Sequence, residues 1–220
     1  MRGTRGDKNK HPLSYRRLTS FAIMDDRLTL DNDQRFFLSI RIMLSYCLGG
    51  LQSYQPCAQA FYLGMITQKA LEFSFTGKLY LEKGQFKKGR NFLEKAIRLR
   101  PESGPAFRYL GECYAALKMT DEALAAYKKA IKQNPGDADS LSGLGYLLDV
   151  QGENIEIATI FCQQSVEISP DNGLFRHRLG QLYLKQNQLE DALKEFKRAD
   201  DLGCDSTEFI EKARNLMLEA

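Results

Sequence analysis

One spacing constrains this sequence of 220 residues more than any other feature, because prolines and glycines recur in it with a common period. Pro101, Pro135 and Pro170 lie 34 and then 35 residues apart, each after an apolar run with helical periodicity. Four glycines share this period and its one-residue slip, namely Gly77, Gly111, Gly145 and Gly180. A period of about 20–50 residues indicates a repeat architecture rather than one globular core.

Each repeat has the pattern of two amphipathic helices. Apolar residues three and four positions apart give each helix one buried stripe, and the proline closes the unit because it cannot continue a helix. Gly and Ala recur where we expect the two helices to approach closely, with aromatic residues beside them. Gly84, Gly152 and Asn187 occupy the turn between the helices, where a left-handed backbone suits Gly or Asn. Lys118 takes the same place in the second unit, so we expect strain or a different turn there.

The unit that begins at Gly104 shows the pattern most completely. Its first helix carries Phe107, Leu110, Gly111 and Tyr114, and its second helix carries Ala123, Tyr127 and Ala130 before Pro135. This order resembles the tetratricopeptide repeat. The other three units keep most of the positions, and their departures are Thr76, Gly89, Cys162, Ser165, Arg176 and Cys204.

The resemblance implies an all-α fold, a right-handed α-solenoid of four helix pairs. We expect the units at residues 70–103, 104–137, 138–172 and 173–206. Residues 207–220 have the pattern of a single capping helix, with Ser206 as its N-cap. On that helix Ile210, Ala213 and Met217 share one face.

The first 69 residues do not follow the repeat. Residues 1–35 are basic and polar, and we expect disorder there. Residues 36–69 include an apolar stretch that is short for a membrane span, so no span is expected. Three alternatives remain open for this region: an export signal, an additional helix on the first repeat, or a true translation start at Met65.

In this repeat family the first helices of successive units line a concave groove that holds an extended or helical peptide. The resemblance places ten residues on that surface. Such a mixture of aromatic, basic and acidic side chains suits a peptide with both apolar and charged anchors. The ten are Phe75, Lys78, Arg108, Tyr109, Glu112, Tyr146, Asp149, His177, Arg178 and Gln181.

Some members of the family bind acidic chaperone C-termini through a clamp of Lys, Asn, Asn, Lys and Arg. The corresponding positions hold Arg108, Glu112, Gly143, Leu174 and Arg178. Only the two arginines resemble the clamp, and Glu112 would repel a carboxylate. We therefore do not expect this specialisation.

Charge and composition argue against several other functions. The net charge is +3, with a balance of +5 in residues 1–69 and −2 in the remainder, so the repeats show no basic stripe for nucleic acid. The five cysteines include no C-x-x-C pair and only two histidines are present, which disfavours a disulfide framework or a metal site. Because no nucleophile motif or phosphate loop appears, we expect neither enzyme activity nor a cofactor.

Two classes of function remain. The first is a cytoplasmic scaffold or adaptor that binds a protein or peptide partner, with self-association as a further option. The second is an accessory chaperone or pilotin-like factor of a secretion, pilus or envelope assembly, which would be exported or periplasmic.

Overall fold

The described chain is entirely helical. The computed structural model describes residues 55–152 and 154–219, with side chains from Tyr62 onward. Within these ranges it has nine α-helices and no β-strand, which confirms the all-α helical repeat fold. No helix of this part is long and apolar enough to cross a bilayer. The predictions for residues 1–54 lie outside the described residues.

The helices alternate with short turns along the chain. They are α1 (Gln55–Glu82), α2 (Phe86–Leu99), α3 (Gly104–Ala116), α4 (Thr120–Gln133), α5 (Ala138–Gln151), α6 (Ile155–Ile168), α7 (Gly173–Lys185), α8 (Leu189–Asp201) and α9 (Thr207–Glu219). Helix α1 begins upstream of residue 70, where we expected the first repeat to start. Pro56 lies in its first turn, where a missing N–H is tolerated.

Consecutive helices pack as antiparallel neighbours in pairs. Helix α3 pairs with α4, α5 with α6 and α7 with α8, while α2, α4 and α6 each contact the first helix of the next pair. In the first pair, the rings of Phe73 and Tyr80 on α1 lie 6.1 and 5.4 Å from that of Phe92 on α2. The first helices also contact one another, α3 with α5 and α5 with α7, so they form one side of the array.

The recurring glycine is the point of close approach within each pair. A Cβ atom on Gly111 would lie 2.8 Å from the Tyr127 ring, and one on Gly145 would lie 2.6 Å from the Sγ atom of Cys162. These separations are shorter than van der Waals contact, so only glycine lets the second helix pack at this distance. The same relation joins Gly77 to Leu93 and Gly180 to Phe196.

All four turns between the helices of a pair contain a left-handed residue. Gly84 and Gly152 have φ values of 69° and 70°, and Asn187 has φ 59°. Lys118 also has φ 59°, so the second unit uses the same turn with a residue that tolerates it poorly. Of the two alternatives for Lys118, the geometry shows strain and not a different turn.

An arginine replaces the first aromatic residue of the fourth unit, and it is buried. Arg176 on α7 is 7 % exposed. Its Nε donates to the carbonyl of Pro170 at 2.6 Å, and its Nη1 donates to the Oε2 of Glu195 on α8 at 2.7 Å. The guanidinium therefore keeps polar partners in a position where its relatives in the other units pack apolar atoms.

Helix α9, for which we predict a capping role, packs on α8. Ile210 and Ala213 are buried, but Met217 is 39 % exposed, so the buried face ends before the last turn. Ser206 precedes the helix, but its hydroxyl does not cap the helical N–H groups. It donates instead to the carbonyl of Cys204 at 3.0 Å and contacts Nδ1 of His177 at 2.7 Å.

The close approach at glycine predicts the effect of adding a methyl group. We expect Gly180→Ala to lower the free energy of unfolding by about 1–3 kcal/mol, because its Cβ would overlap the Phe196 ring. Urea unfolding followed by circular dichroism measures the change. Gly64→Ala is the control, since Gly64 is helical with no atom within 4 Å of the added Cβ, and should gain about 0.5–1 kcal/mol. Equal stability of the two variants would contradict the packing.

The left-handed turn at Lys118 predicts a stabilising substitution. A left-handed backbone costs a non-glycine residue roughly 1–2 kcal/mol. Glycine avoids this strain, but it loses more conformational entropy on folding, so the net gain is smaller. We therefore expect Lys118→Gly to raise the free energy of unfolding by about 0.5–1 kcal/mol, measured in guanidinium chloride. Gly84→Ala, at φ 69° with open space around its Cβ, should lower it. A loss of stability in Lys118→Gly would show that the lysine side chain matters more than its backbone.

Candidate peptide-binding face

The ten predicted groove residues all lie on the first helices of the pairs. We call the side formed by α1, α3, α5 and α7 the inner face. Phe75 and Lys78 lie on α1, and Tyr146 and Asp149 lie on α5. Helix α3 carries Arg108, Tyr109 and Glu112, and α7 carries His177, Arg178 and Gln181.

Arg108 is the centre of a charge network that joins α3 to α5. Its Nη1 lies 2.6 Å from the Oδ2 of Asp139, and its Nε lies 3.6 Å from the Oδ1 of Asp137. On its own helix it lies 4.0 Å from Glu112, and its Nη2 donates to the Tyr109 hydroxyl at 3.0 Å. Three carboxylates therefore surround this guanidinium before any partner arrives.

The carboxyl of Glu112 is harder to ionise than an ordinary glutamate. Burial raises its pKa, the positive charge of Arg108 lowers it in part, and Asp139 and Asp137 raise it further.

Arg178 joins α7 to α5 without an acidic partner. Its Nη1 donates to the Ser142 hydroxyl at 2.8 Å, and its guanidinium carbon lies 5.0 Å from the centre of the Tyr146 ring. No carboxylate of the described residues lies within ion-pair distance of it. Tyr146 is 42 % exposed, so an accessible aromatic surface borders this cation.

Two further lysine contacts continue along the inner face. Lys185 on α7 donates to both carboxylate oxygens of Asp149 on α5 at 2.8 Å. Lys78 on α1 lies 3.4 Å from Glu82 and 5.8 Å from the centre of the Tyr109 ring. Phe75 is 63 % exposed, and among the described residues it makes no ring or cation contact.

His177 and Gln181 face the capping helix rather than the middle of the inner face. Ser206 donates to the Cys204 carbonyl, so His177 Nδ1–H donates to Ser206, and Gln181 donates to Nε2 at 3.0 Å. The imidazole also meets the rings of Phe196 and Phe209 edge-on, at 5.5 and 4.9 Å. This network uses the neutral imidazole.

The pair of Ser206 and His177 is a packing contact. Ser206 is 1 % exposed, and its hydroxyl proton is already directed at the backbone. Burial raises the pKa of the Cys113 and Cys162 thiols to about 11 and about 12, so neither is a thiolate at neutral pH. Among the described residues no group of three acidic, histidine or cysteine side chains could hold a metal ion.

Sequence reasoning missed several residues that act on this face. Asp137, Asp139, Ser142 and Lys185 all bind a predicted residue from an adjacent helix. The sequence indicates their location in part, because the unit period places each of them near the start or the end of a first helix. Their pairing depends on the angle between neighbouring units, which the period does not encode.

Family comparison identifies the repeat. A family model described as tetratricopeptide repeat matches residues 76–138 and 119–173, and a second tetratricopeptide repeat model matches residues 161–194. The chain belongs to the tetratricopeptide-repeat family. Among curated proteins it is 27 % identical over 128 residues to the CTR9 homolog of Arabidopsis thaliana, which covers 56 % of this chain and 12 % of that protein. The chain thus spans about an eighth of the length of that relative.

Solved structures share the fold at low sequence identity. A crystal structure of MamA has a TM-score of 0.55 and 21 % identity, covering 80 % of this chain and 96 % of that one. PilF of Pseudomonas aeruginosa has a TM-score of 0.56 and 21 % identity, covering 62 % of each chain. The first TPR of Spaghetti (RPAP3), bound to the HSP90 peptide SRMEEVD, has a TM-score of 0.51 and 20 % identity, covering 55 % of this chain and 94 % of that one.

The surroundings of His177 predict a pH dependence of stability. Burial and then the charge of Arg178 lower its pKa below the ordinary 6.5, against the opposing charge of Asp205. The folded state therefore binds fewer protons than the unfolded state, and this contribution to stability is complete above pH 6.5 and declines below it. We expect the thermal midpoint of the wild type to fall more than that of His177→Gln between about pH 7.5 and about pH 5.5. Parallel pH profiles of the two proteins would contradict this.

Proposed function

We propose that this protein is a non-catalytic scaffold whose inner face binds a peptide or helix of a partner protein. The observation that carries the proposal is the uneven pairing of charges on that face. Carboxylates of adjacent helices neutralise Arg108 and Lys185, whereas Arg178 contacts, within the described part of the chain, a serine hydroxyl and an aromatic ring and no carboxylate. A half-buried cation without an acidic partner is suited to receive an acceptor from another molecule.

Accessible aromatic residues on the same side support a binding role. Tyr146 borders Arg178, and Phe75 offers a largely exposed ring on α1. Aromatic and arginine side chains dominate the energetics of protein interfaces, because they bury large areas with few torsions to fix. The remaining charges of the inner face are mutually paired, which gives a polar surround for such anchors.

The charge arrangement also bears on the kind of partner. Glu112, Asp137 and Asp139 gather around Arg108, so the α3 end of this face already holds more carboxylates than cations. A strongly acidic peptide would meet repulsion there. We therefore propose a partner segment with apolar residues and isolated polar groups, in contrast to the acidic peptide bound in the RPAP3 structure.

A second candidate is an accessory factor of a secretion, pilus or envelope assembly. The likeness to PilF concerns the fold, at 21 % identity, so it adds plausibility without naming a partner. A cytoplasmic location, the exported alternative and self-association remain predictions.

Selection from a random dodecapeptide display library tests the inner face. The full-length chain is the bait, and the selected peptides are then measured against variants by fluorescence anisotropy. We expect Tyr146→Ser to weaken binding about tenfold or more with unchanged helicity, because it removes an aromatic anchor. Arg108→Glu should also weaken binding, because it breaks the charge network that joins α3 to α5. An affinity pull-down from the native host would then identify the partner.

The matched control lies on a second helix. Ile160 on α6 is 51 % exposed and outside the inner face, so Ile160→Ser should leave peptide affinity unchanged. Peptides that bind Tyr146→Ser as tightly as the wild type, or that lose affinity only with Ile160→Ser, would place the binding surface elsewhere.

A further inference from the structure

The ring of Tyr127 passes between two units and ends at the inner face. On the α3 side, a Cβ on Gly111 would meet Cδ1, Cε1 and Cγ, which form the base and side of the ring. On the α5 side, a Cβ on Gly143 would meet Cζ at 2.6 Å, the carbon that carries the hydroxyl. The tyrosine begins on the second helix α4, yet its polar end reaches a first helix.

This end of the ring occupies a gap in the pattern of the inner face. The positions that correspond to Gly143 in the other units hold Phe75, Tyr109 and Arg178. The third unit alone has no side chain there. The Tyr127 ring fills the space below Gly143, so its hydroxyl lies where the other units carry a side chain of the first helix.

The Tyr127 hydroxyl stands at the end of a buried ring and has no protein partner among the described residues. The residue is 4 % exposed, and its oxygen has no hydrogen bond with any described residue. Among the described residues, this oxygen is not one of the unpartnered polar atoms that are fully closed off from solvent, so it keeps a small opening. A phenol that keeps this opening retains its donor for a group that arrives from the inner face.

Charged groups of the inner face surround this opening. Ser142, next to Gly143, holds the guanidinium of Arg178 at 2.8 Å. After burial, the charges of Glu112 and Arg178 have the largest effects on the pKa of the Tyr127 phenol, the first raising it and the second lowering it. Glu112 follows Gly111 and Arg178 is held by the residue before Gly143, and an added Cβ on either glycine would touch the Tyr127 ring, so both charged groups belong to segments that border this phenol.

We infer that Tyr127, Arg178 and Glu112 form a subsite for a side-chain carboxamide, the Asn or Gln of a bound peptide. The carboxamide oxygen accepts from the Tyr127 hydroxyl and the Arg178 guanidinium, and its NH2 group donates to Glu112. A carboxylate lacks the donor and is repelled by Glu112, while an apolar side chain would leave the Tyr127 hydroxyl without a hydrogen-bond partner. This inference rests on the proposed function, since it assumes that the inner face binds a peptide.

The peptides selected from the random dodecapeptide library provide the test. We expect Asn or Gln at one fixed position of the selected sequences. For a selected peptide with Gln there, Tyr127→Phe should weaken binding about five- to tenfold. For the same peptide with Met in place of Gln, Tyr127→Phe should have no effect. Tyr127→Phe should also melt at the wild-type temperature, because the hydroxyl supports no internal hydrogen bond.

A charge variant tests the role of the acceptor. With Glu112→Gln, a peptide that carries Glu in place of Gln should gain affinity, since the repulsion is removed and an amide donor is added. Selected peptides without an Asn or Gln preference, or an equal loss for the Gln and Met peptides in Tyr127→Phe, would overturn the subsite and leave the proposed function standing. If no selected peptide is weakened by Tyr146→Ser, the proposed function itself is wrong.

Discussion

The whole array depends on one steric condition: on each first helix, a glycine lies directly against a side chain of the paired second helix. The partner side chain lies 16 residues later, or 17 in the third pair, and the added atoms of any other residue would overlap it. This contact sets the distance between the two helices of a pair. The distance in turn sets where the next pair can dock, so the inner face inherits its geometry from four glycines that bind nothing themselves.

The inner face uses most of its charge internally. The ion pairs of Arg108 with Asp139 and of Lys185 with Asp149 connect the first helices of adjacent units, and their members lie 31 and 36 residues apart in the sequence. These contacts orient the units, and half-exposed pairs of this kind contribute little to stability on their own. Because these cations are already paired with carboxylates, they are not available to a ligand. What remains is specific: Arg178, the exposed rings of Phe75 and Tyr146, and the phenol of Tyr127.

The spacing of glycine and proline was enough to predict the helix pairs and three of the four turns, while the ten groove residues came from the family resemblance and stay a prediction. It was not enough for Lys118, because propensity disfavours a left-handed lysine while the tertiary contacts on both sides require that turn. Ser206 was misjudged as a capping side chain because His177, 29 residues earlier, competes for its hydroxyl. Tyr127 was read as packing alone. Its second role appears only when the neighbouring unit is in place, because Gly143 belongs to that unit.

The ring of Tyr127 has a consequence for how the array unfolds. In a linear array each unit is stabilised by itself and by its neighbours, and the strength of each junction decides which units open together. Tyr127 fills space in both the second and the third unit. It belongs to the largest buried cluster of the described residues, which reaches from Ala123 on α4 to Leu182 on α7. The smaller cluster of Phe196 and Ile210 at the end of the array is joined to it through the partly buried Tyr183. The central units therefore behave as one cooperative block, while the capping helix can fray without opening the middle of the inner face.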